Sequence, residues 1–185
     1  AANAHRPLLK VKLGGEGDLE RLRAVRAGAP AATLIIDANE GWTAEGYAAL
    51  APEMTALGVA MVEQPLPAGA DAALAARDRP LPVCADESYR HRASLAGLVE
   101  RYDMINIKLD KAGGLTEALE MREEAERLGL RVMVGSMLAT SLSTAPAHLV
   151  AQGAEIADID GPLLLREDRE PAMFYDESGA HPPAP

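Results

Sequence analysis

Apolar runs of strand length alternate with helical stretches along this chain, and five consecutive runs finish on a charged side chain. Leu8-Leu9-Lys10-Val11 leads to Lys12, Leu34-Ile35-Ile36 to Asp37, and Val59-Ala60-Met61-Val62 to Glu63. Leu81-Pro82-Val83-Cys84-Ala85 leads to Asp86, and Met104-Ile105-Asn106-Ile107 to Lys108. By subtraction the charges stand 25, 26, 23 and 22 residues apart, room for one strand, one helix and two short loops. A buried strand ends on a charge only where that charge meets a polar site, because an unpaired buried ion is costly. Five such endings in register describe one site built from successive strand tips.

Helical stretches are expected near 17–27, 43–57, 71–77, 92–101, 114–128 and 140–152. In 114–128, Leu115, Ala118, Leu119, Ala125 and Leu128 keep one face while Glu117, Glu120, Arg122, Glu123, Glu124 and Arg127 take the other. Gly28, Gly58, Gly129 and Gly153 stand where helices stop. Two further strands are expected at Arg131–Met137 and Glu155–Gly161, making seven β-units.

Strands alternating with helices imply a parallel sheet with right-handed crossovers. A doubly wound sheet would place its site at one switch point. A (β/α)8 barrel gathers the C-terminal ends of all its strands around one mouth, and five functional tips in succession fit only that. Seven units fall one short of closure and would leave two long apolar edges open. Residues 1–185 are therefore expected to be the C-terminal part of a longer polypeptide, or to pair with a separate N-terminal part. Residues 1–165 are expected to form the incomplete barrel domain, and 166–185 a charged, then Pro-rich tail leaving it.

The composition is 48% hydrophobic and the formal net charge is −10. Such a chain buries a real core and repels both nucleic acid and anionic lipid. Neither nucleic acid nor membrane is an expected partner, and no apolar run is long enough to span a bilayer. The opening residues lack a signal-peptide pattern, and the single cysteine, Cys84, fits a reducing cytoplasm, where it reads as a small buried hydrophobe.

Asp37, Glu63 and Asp86 are three carboxylates on adjacent tips, which repel one another unless a cation sits among them. Mg²⁺ suits a few carboxylates with positions left for water or substrate. Lys10 and Lys12, two apart on one strand, point to the same side. A lysine crowded by another cation gives up its proton more readily and serves as a base near neutral pH. Lys108, across the ring of acids, can approach a bound substrate from the face opposite Lys12. Asp158 and Asp160 alternate on the last strand and suit a substrate ammonium group, although an Asp-Gly-Pro turn would use such residues as well. His148, on a helix, reads as a packing or surface residue.

Lys10-Val11-Lys12, Asp37-Ala38-Asn39-Glu40-Gly41-Trp42, Glu63-Gln64-Pro65, Asp86-Glu87-Ser88, Lys108-Leu109-Asp110-Lys111-Ala112-Gly113-Gly114 and Asp158-Ile159-Asp160-Gly161-Pro162 together resemble the enolase superfamily. Within it they are most similar to the muconate-lactonizing-like subgroup and its dipeptide epimerases, typified by those acting on L-Ala-D/L-Glu. The resemblance implies a TIM-type modified (β/α)7β barrel, here from the second to the eighth strand. An N-terminal α+β capping domain and the first strand would lie outside this chain. It implies Mg²⁺ on Asp37, Glu63 and Asp86, and Lys12 and Lys108 as the acid/base pair. Lys10 would support Lys12 and the substrate carboxylate, and Asp158 and Asp160 would hold the dipeptide α-ammonium. The superfamily's established pattern is a base beside a Mg²⁺-stabilised enediolate. Here it implies two-base epimerisation at the C-terminal residue of a dipeptide in peptidoglycan turnover. Many members are homo-oligomers.

Other subgroup reactions remain open, namely o-succinylbenzoate synthase, N-acylamino-acid racemase and muconate cycloisomerase. So does a non-catalytic fragment that completes a partner barrel.

Overall fold

The structure, a computed structural model, describes residues 2–75 and 79–184. The chain forms two compact units, Ala1–Tyr89 with Leu98–Asp103, and Arg90–Gly97 with Met104–Pro185.

The first unit carries β1 (Leu8–Lys12), α1 (Asp18–Gly28), β2 (Thr33–Asp37), α2 (Ala44–Ala56), β3 (Val59–Glu63) and β4 (Val83–Ala85). The four strands pair in parallel in chain order. Leu34, Ile35, Ile36, Met61, Val62, Val83 and Cys84 are all buried. Such near-continuous burial, rather than alternation, marks a parallel sheet. Cys84 is buried, as its apolar surroundings led us to expect. Arg26 on α1 donates to the carbonyls of Leu57 and Gly58 just past α2, as well as to Ala32. It thereby supplies donors that the end of a helix lacks.

The second unit carries β5 (Met104–Lys108), α3 (Leu109–Ala112), α4 (Leu115–Arg127), β6 (Arg131–Gly135), α5 (Ser141–Val150) and β7 (Ile156–Asp158), followed by β8 (Phe174–Asp176) and β9 (Gly179–His181). Strands β5, β6 and β7 pair in parallel in chain order. The apolar side of α4 is Ala118, Met121 and Ala125, while Leu119 is exposed. Met121 thus fills the place that the helical spacing had given to Leu119. Arg122, on the same helix, donates to the carbonyls of Val150 and Gln152 at the end of α5.

Three segments differ from their sequence reading. Residues 71–74 and 92–97 form 3₁₀ turns rather than longer helices, and residues 76–77 of the first lie outside the described residues. In the first turn Asp71 is buried and spends its carboxylate on Arg101 and Tyr102. β7 ends at Asp158, three residues before the expected end, because Asp160 opens a 3₁₀ turn over Gly161–Leu164. Gly58 and Gly129 follow their helices in the left-handed region, at φ +68° and +81°, whereas Gly28 is the last helical residue of α1.

The tail is built rather than featureless. Antiparallel β8 and β9 join through residues 177–178, and Asp168, Met173, Tyr175 and Ala180 bond back to α5 and to Ile159 after β7. Ser141 donates its N–H to Asp168 Oδ1 at 3.0 Å and its hydroxyl to Asp168 Oδ2, and accepts from Met173 N at 2.8 Å. His148 Nε2 lies 3.0 Å from Ala180 O, a packing role on α5. Among the described residues, no helix is long and apolar enough to cross a membrane.

Candidate active site

Parallel pairing sets the acid-bearing tips side by side. In register, Lys12 stands opposite Asp37, Asp37 opposite Glu63, and Glu63 opposite Cys84, two residues before Asp86. Asp37 and Glu63 have no exposed surface, and Asp86 is buried. Lys10 Nζ lies 3.1 Å from Asp37 Oδ2 and 2.8 Å from Glu63 Oε2. Lys12 Nζ lies 2.5 Å from Asp37 Oδ2 and donates to Asn39 Oδ1 at 2.7 Å. Both lysines of β1 therefore converge on one carboxylate oxygen of β2, which follows from the period of two along a strand.

Burial pushes the Glu63 carboxyl up to about 7, against the opposing pull of Lys10 and with the neighbouring charges of Asp37 and Asp86 pushing the same way. Burial and Asp86 also raise Glu87, whose Oε1 accepts from Asn39 Nδ2 at 3.3 Å. An acid held near neutrality by burial, with like charges beside it, marks a site able to bind a cation or move a proton.

Among the described residues, no three His, Cys, Asp or Glu side chains converge as a ready-made metal cage. The donor chemistry nonetheless fits a hard cation. Asp37 and Glu63 are fully buried oxygen donors, Asp86 raises Glu63 through its charge, and the positive group between Asp37 and Glu63 is the Lys10 ammonium. An ammonium and a divalent cation answer the same electrostatic need.

The loops beyond these tips are tightly specified. Asn39, Glu40 and Gln64 adopt left-handed backbone at φ +42°, +64° and +36°, a conformation that costs non-glycine residues and gathers at functional sites. Gly14 and Gly41 pack backbone to backbone, so that a Cβ built on Gly41 would stand 2.6 Å from Gly14 Cα. Buried Asp18 accepts from Gly14 N at 3.0 Å, Gly15 N at 2.9 Å and Trp42 Nε1 at 2.7 Å, tying the loop after β1 to the loop after β2.

In the second unit Lys108 is the last residue of β5, buried, and opposite Gly135 of β6. A Cβ on Gly135 would meet Asn106 Oδ1 at 2.7 Å, so the glycine leaves room for that side chain. Asp158 ends β7 and is half-buried, while Asp160 is exposed at the start of the 3₁₀ turn. The two acids therefore do not alternate along one strand as the sequence reading expected, since the Asp-Gly-Pro turn takes the second. Between them, the Ile159 carbonyl accepts from Tyr175 OH at 2.9 Å.

Asp18, Asn39, Gln64 and Tyr175 did not stand out as site-supporting residues from the sequence. Asn39, Trp42 and Gln64 lie inside the quoted motifs, which was the available signal. Asp18 and Tyr175 carry no such mark.

The description of the enolase C-terminal domain-like family matches residues 3–179. The chain is 51% identical over 174 residues to L-Ala-D/L-Glu epimerase of Escherichia coli K12, covering 94% of this chain and 54% of that protein. A crystal structure of an Agrobacterium tumefaciens enolase family member with homology to dipeptide epimerases, holding sodium and L-Ala-L-Glu, matches at TM-score 0.95 and 58% identity. That match covers 98% of this chain and 56% of the other. The dipeptide epimerase of Cytophaga hutchinsonii, complexed with Mg and D-Ala-L-Val, matches at TM-score 0.89 and 30% identity, over 97% of this chain and 52% of its own. The chain spans about half the length of the curated relatives it matches. The family match bears out the expected α/β class of the TIM-type barrel. On a match that runs through every strand-tip motif, this chain belongs to the enolase C-terminal domain-like family of the enolase superfamily.

Proposed function

We propose that the protein is an isomerase, a Mg²⁺-dependent dipeptide epimerase that inverts the α-carbon of a C-terminal glutamate, as in L-Ala-D/L-Glu. The observation that carries this reading is the meeting of Lys10 and Lys12 with buried Asp37 and Glu63. Solvent screens exposed ion pairs until they contribute little, but fully buried acids demand a cation or a proton.

Removing a proton beside a carboxylate builds a second negative charge on that group. Asp37, Glu63 and Asp86 would hold a cation, which would supply positive charge against that build-up. Lys12 takes or returns the α-proton on one face, and Lys108 does so on the other. Lys10 holds the substrate carboxylate and keeps Lys12 company at the tip of β1. Asp158 and Asp160 receive the dipeptide α-ammonium, an assignment that also fits Asp160 at its exposed place beyond β7.

On this reading residues 1–165 carry the catalytic units and 166–185 the tail. An N-terminal capping segment completes the site, and the reaction serves peptidoglycan turnover in the cytoplasm. The test is chiral chromatography of L-Ala-L-Glu incubated with the protein and Mg²⁺. Appearance of L-Ala-D-Glu, abolished by EDTA and restored by Mg²⁺, supports the proposal. Conversion of an N-acylated amino acid and not of the free dipeptide sinks it in favour of an N-acylamino-acid racemase.

A further inference from the structure

Gln64 follows Glu63 directly and is completely buried. Its backbone N–H donates to Cys84 O at 2.8 Å, extending the β3–β4 pairing past the end of β3. Its carbonyl accepts from Glu40 N at 2.9 Å, in the loop that leaves Asp37. Its side-chain Oε1 accepts from Asp86 N at 2.9 Å and Ser88 N at 3.1 Å. One residue is thus bonded to the loop after Asp37, joined covalently to Glu63, and bonded to the backbone of Asp86.

The orientation of the amide is determined chemically. Asp71 carries a carboxylate that accepts from Tyr102 OH at 3.0 Å and from Arg101. The tyrosine proton is then committed to Asp71, leaving its oxygen to accept from Gln64 Nε2 at 3.0 Å. Leu66 O at 2.8 Å and Ser88 Oγ at 2.7 Å also lie within reach, so the two N–H groups of Nε2 are shared among three acceptors. With the NH₂ end so occupied, only Oε1 can face the Asp86 and Ser88 amides. A chain from Asp71 through Tyr102 to Gln64 sets the turn on which Asp86 is mounted. The left-handed backbone at Gln64, φ +36°, is what brings its carbonyl and its side chain to these two loops at once.

Resting on the proposed Mg²⁺ role of the three acids, we infer that Gln64 is a positioning residue that fixes the mutual spacing of Asp37, Glu63 and Asp86. It touches no reacting atom. A residue that only filled the core would need no acceptor aimed at the Asp86 amide.

Gln64→Met keeps length and volume but removes both ends of the amide. Mg²⁺ binding, followed by calorimetry on the protein without substrate, is expected to weaken by about 10- to 100-fold, the range for residues supporting metal ligands. Ser141→Ala serves as the stability control and is expected to hold the Mg²⁺ affinity within about twofold, because its bonds run to Asp168 and Met173 rather than to Gln64 or the three acids. If Gln64→Met does not fold, Gln64→Asn is expected to show the same loss, since it keeps the amide but withdraws it by one methylene. Wild-type affinity in whichever Gln64 variant folds, or an equal loss in Ser141→Ala, overturns the inference. A wild-type protein that binds no Mg²⁺ fails the functional reading instead, and the two outcomes are distinct.

Discussion

Lys10 Nζ lies 2.8 Å from Glu63 Oε2, with the carboxylate fully buried and the ammonium side chain only 15% exposed. Burial alone would leave Glu63 protonated far above its ordinary 4.5, and the lysine is the group that opposes this. Lys10→Met is therefore expected to move Glu63 higher than about 7 in metal-free protein. A carbon-13 NMR titration of the Glu63 carboxyl reads this directly, and an unchanged or lower midpoint would contradict it. Because the folded pKa exceeds the unfolded one, this group favours the fold below 4.5. Its contribution is lost as pH rises from there through about 7, and over a wider pH range in the variant.

Asp18 gathers the loops after β1 and β2. Asp18→Ala strands the buried indole N–H of Trp42, at about 1–3 kcal/mol for a buried donor left unmade, and removes the bonds to the more exposed N–H groups of Gly14 and Gly15. A loss of at least about 2 kcal/mol is expected in urea unfolding. Burial pushes the Asp18 carboxyl up, but bonds from Trp42, Gly15, Gly14 and Arg21 outweigh it and hold the group below 3.8. With the folded value depressed, its stabilisation is present above 3.8 and lost as pH falls through the folded value. Asp18→Asn should be flatter than wild type over that acid range, and parallel curves would refute the assignment.

Ser141 bonds both the Asp168 carboxylate and the Met173 amide, and Tyr175 bonds Ile159 between Asp158 and Asp160. Ser141→Ala is expected to cost about 1–2 kcal/mol and to expose residues 166–181 to limited proteolysis before the rest of the chain. Tyr175→Phe should raise KM for the dipeptide more than it lowers kcat, since it loosens only the segment carrying the proposed ammonium site. Equal effects on both parameters, or none, would count against that placement.

The strand tips were legible because each breaks an apolar run with a charge: Lys12, Asp37, Glu63, Asp86 and Lys108 are visible without any structure. Helix lengths were less so. Leu119 and Met121 are both apolar on α4, and only packing decides which is buried. The 3₁₀ turns at 71–74 and 92–97 depend on where Asp71 and Leu95 find partners, which local pattern does not encode. The β8–β9 hairpin lay hidden in a charged, Pro-rich stretch, since a hairpin of three-residue strands shows little alternation. Gln64 acts through a left-handed turn and Asp18 through loop N–H groups, which residue type alone does not announce.

The central claim is that two lysines serve opposite faces of one α-carbon. Proton NMR of L-Ala-L-Glu and, in separate samples, of L-Ala-D-Glu with the protein and Mg²⁺ in deuterated water tests it, comparing wild type with Lys12→Gln and Lys108→Gln. The account predicts α-deuteration of both epimers by wild type. It also predicts loss of epimerisation in each variant, and residual exchange confined to one epimer, opposite for the two lysines. Absence of α-deuteration by the wild type, or exchange of both epimers by either variant, would contradict it.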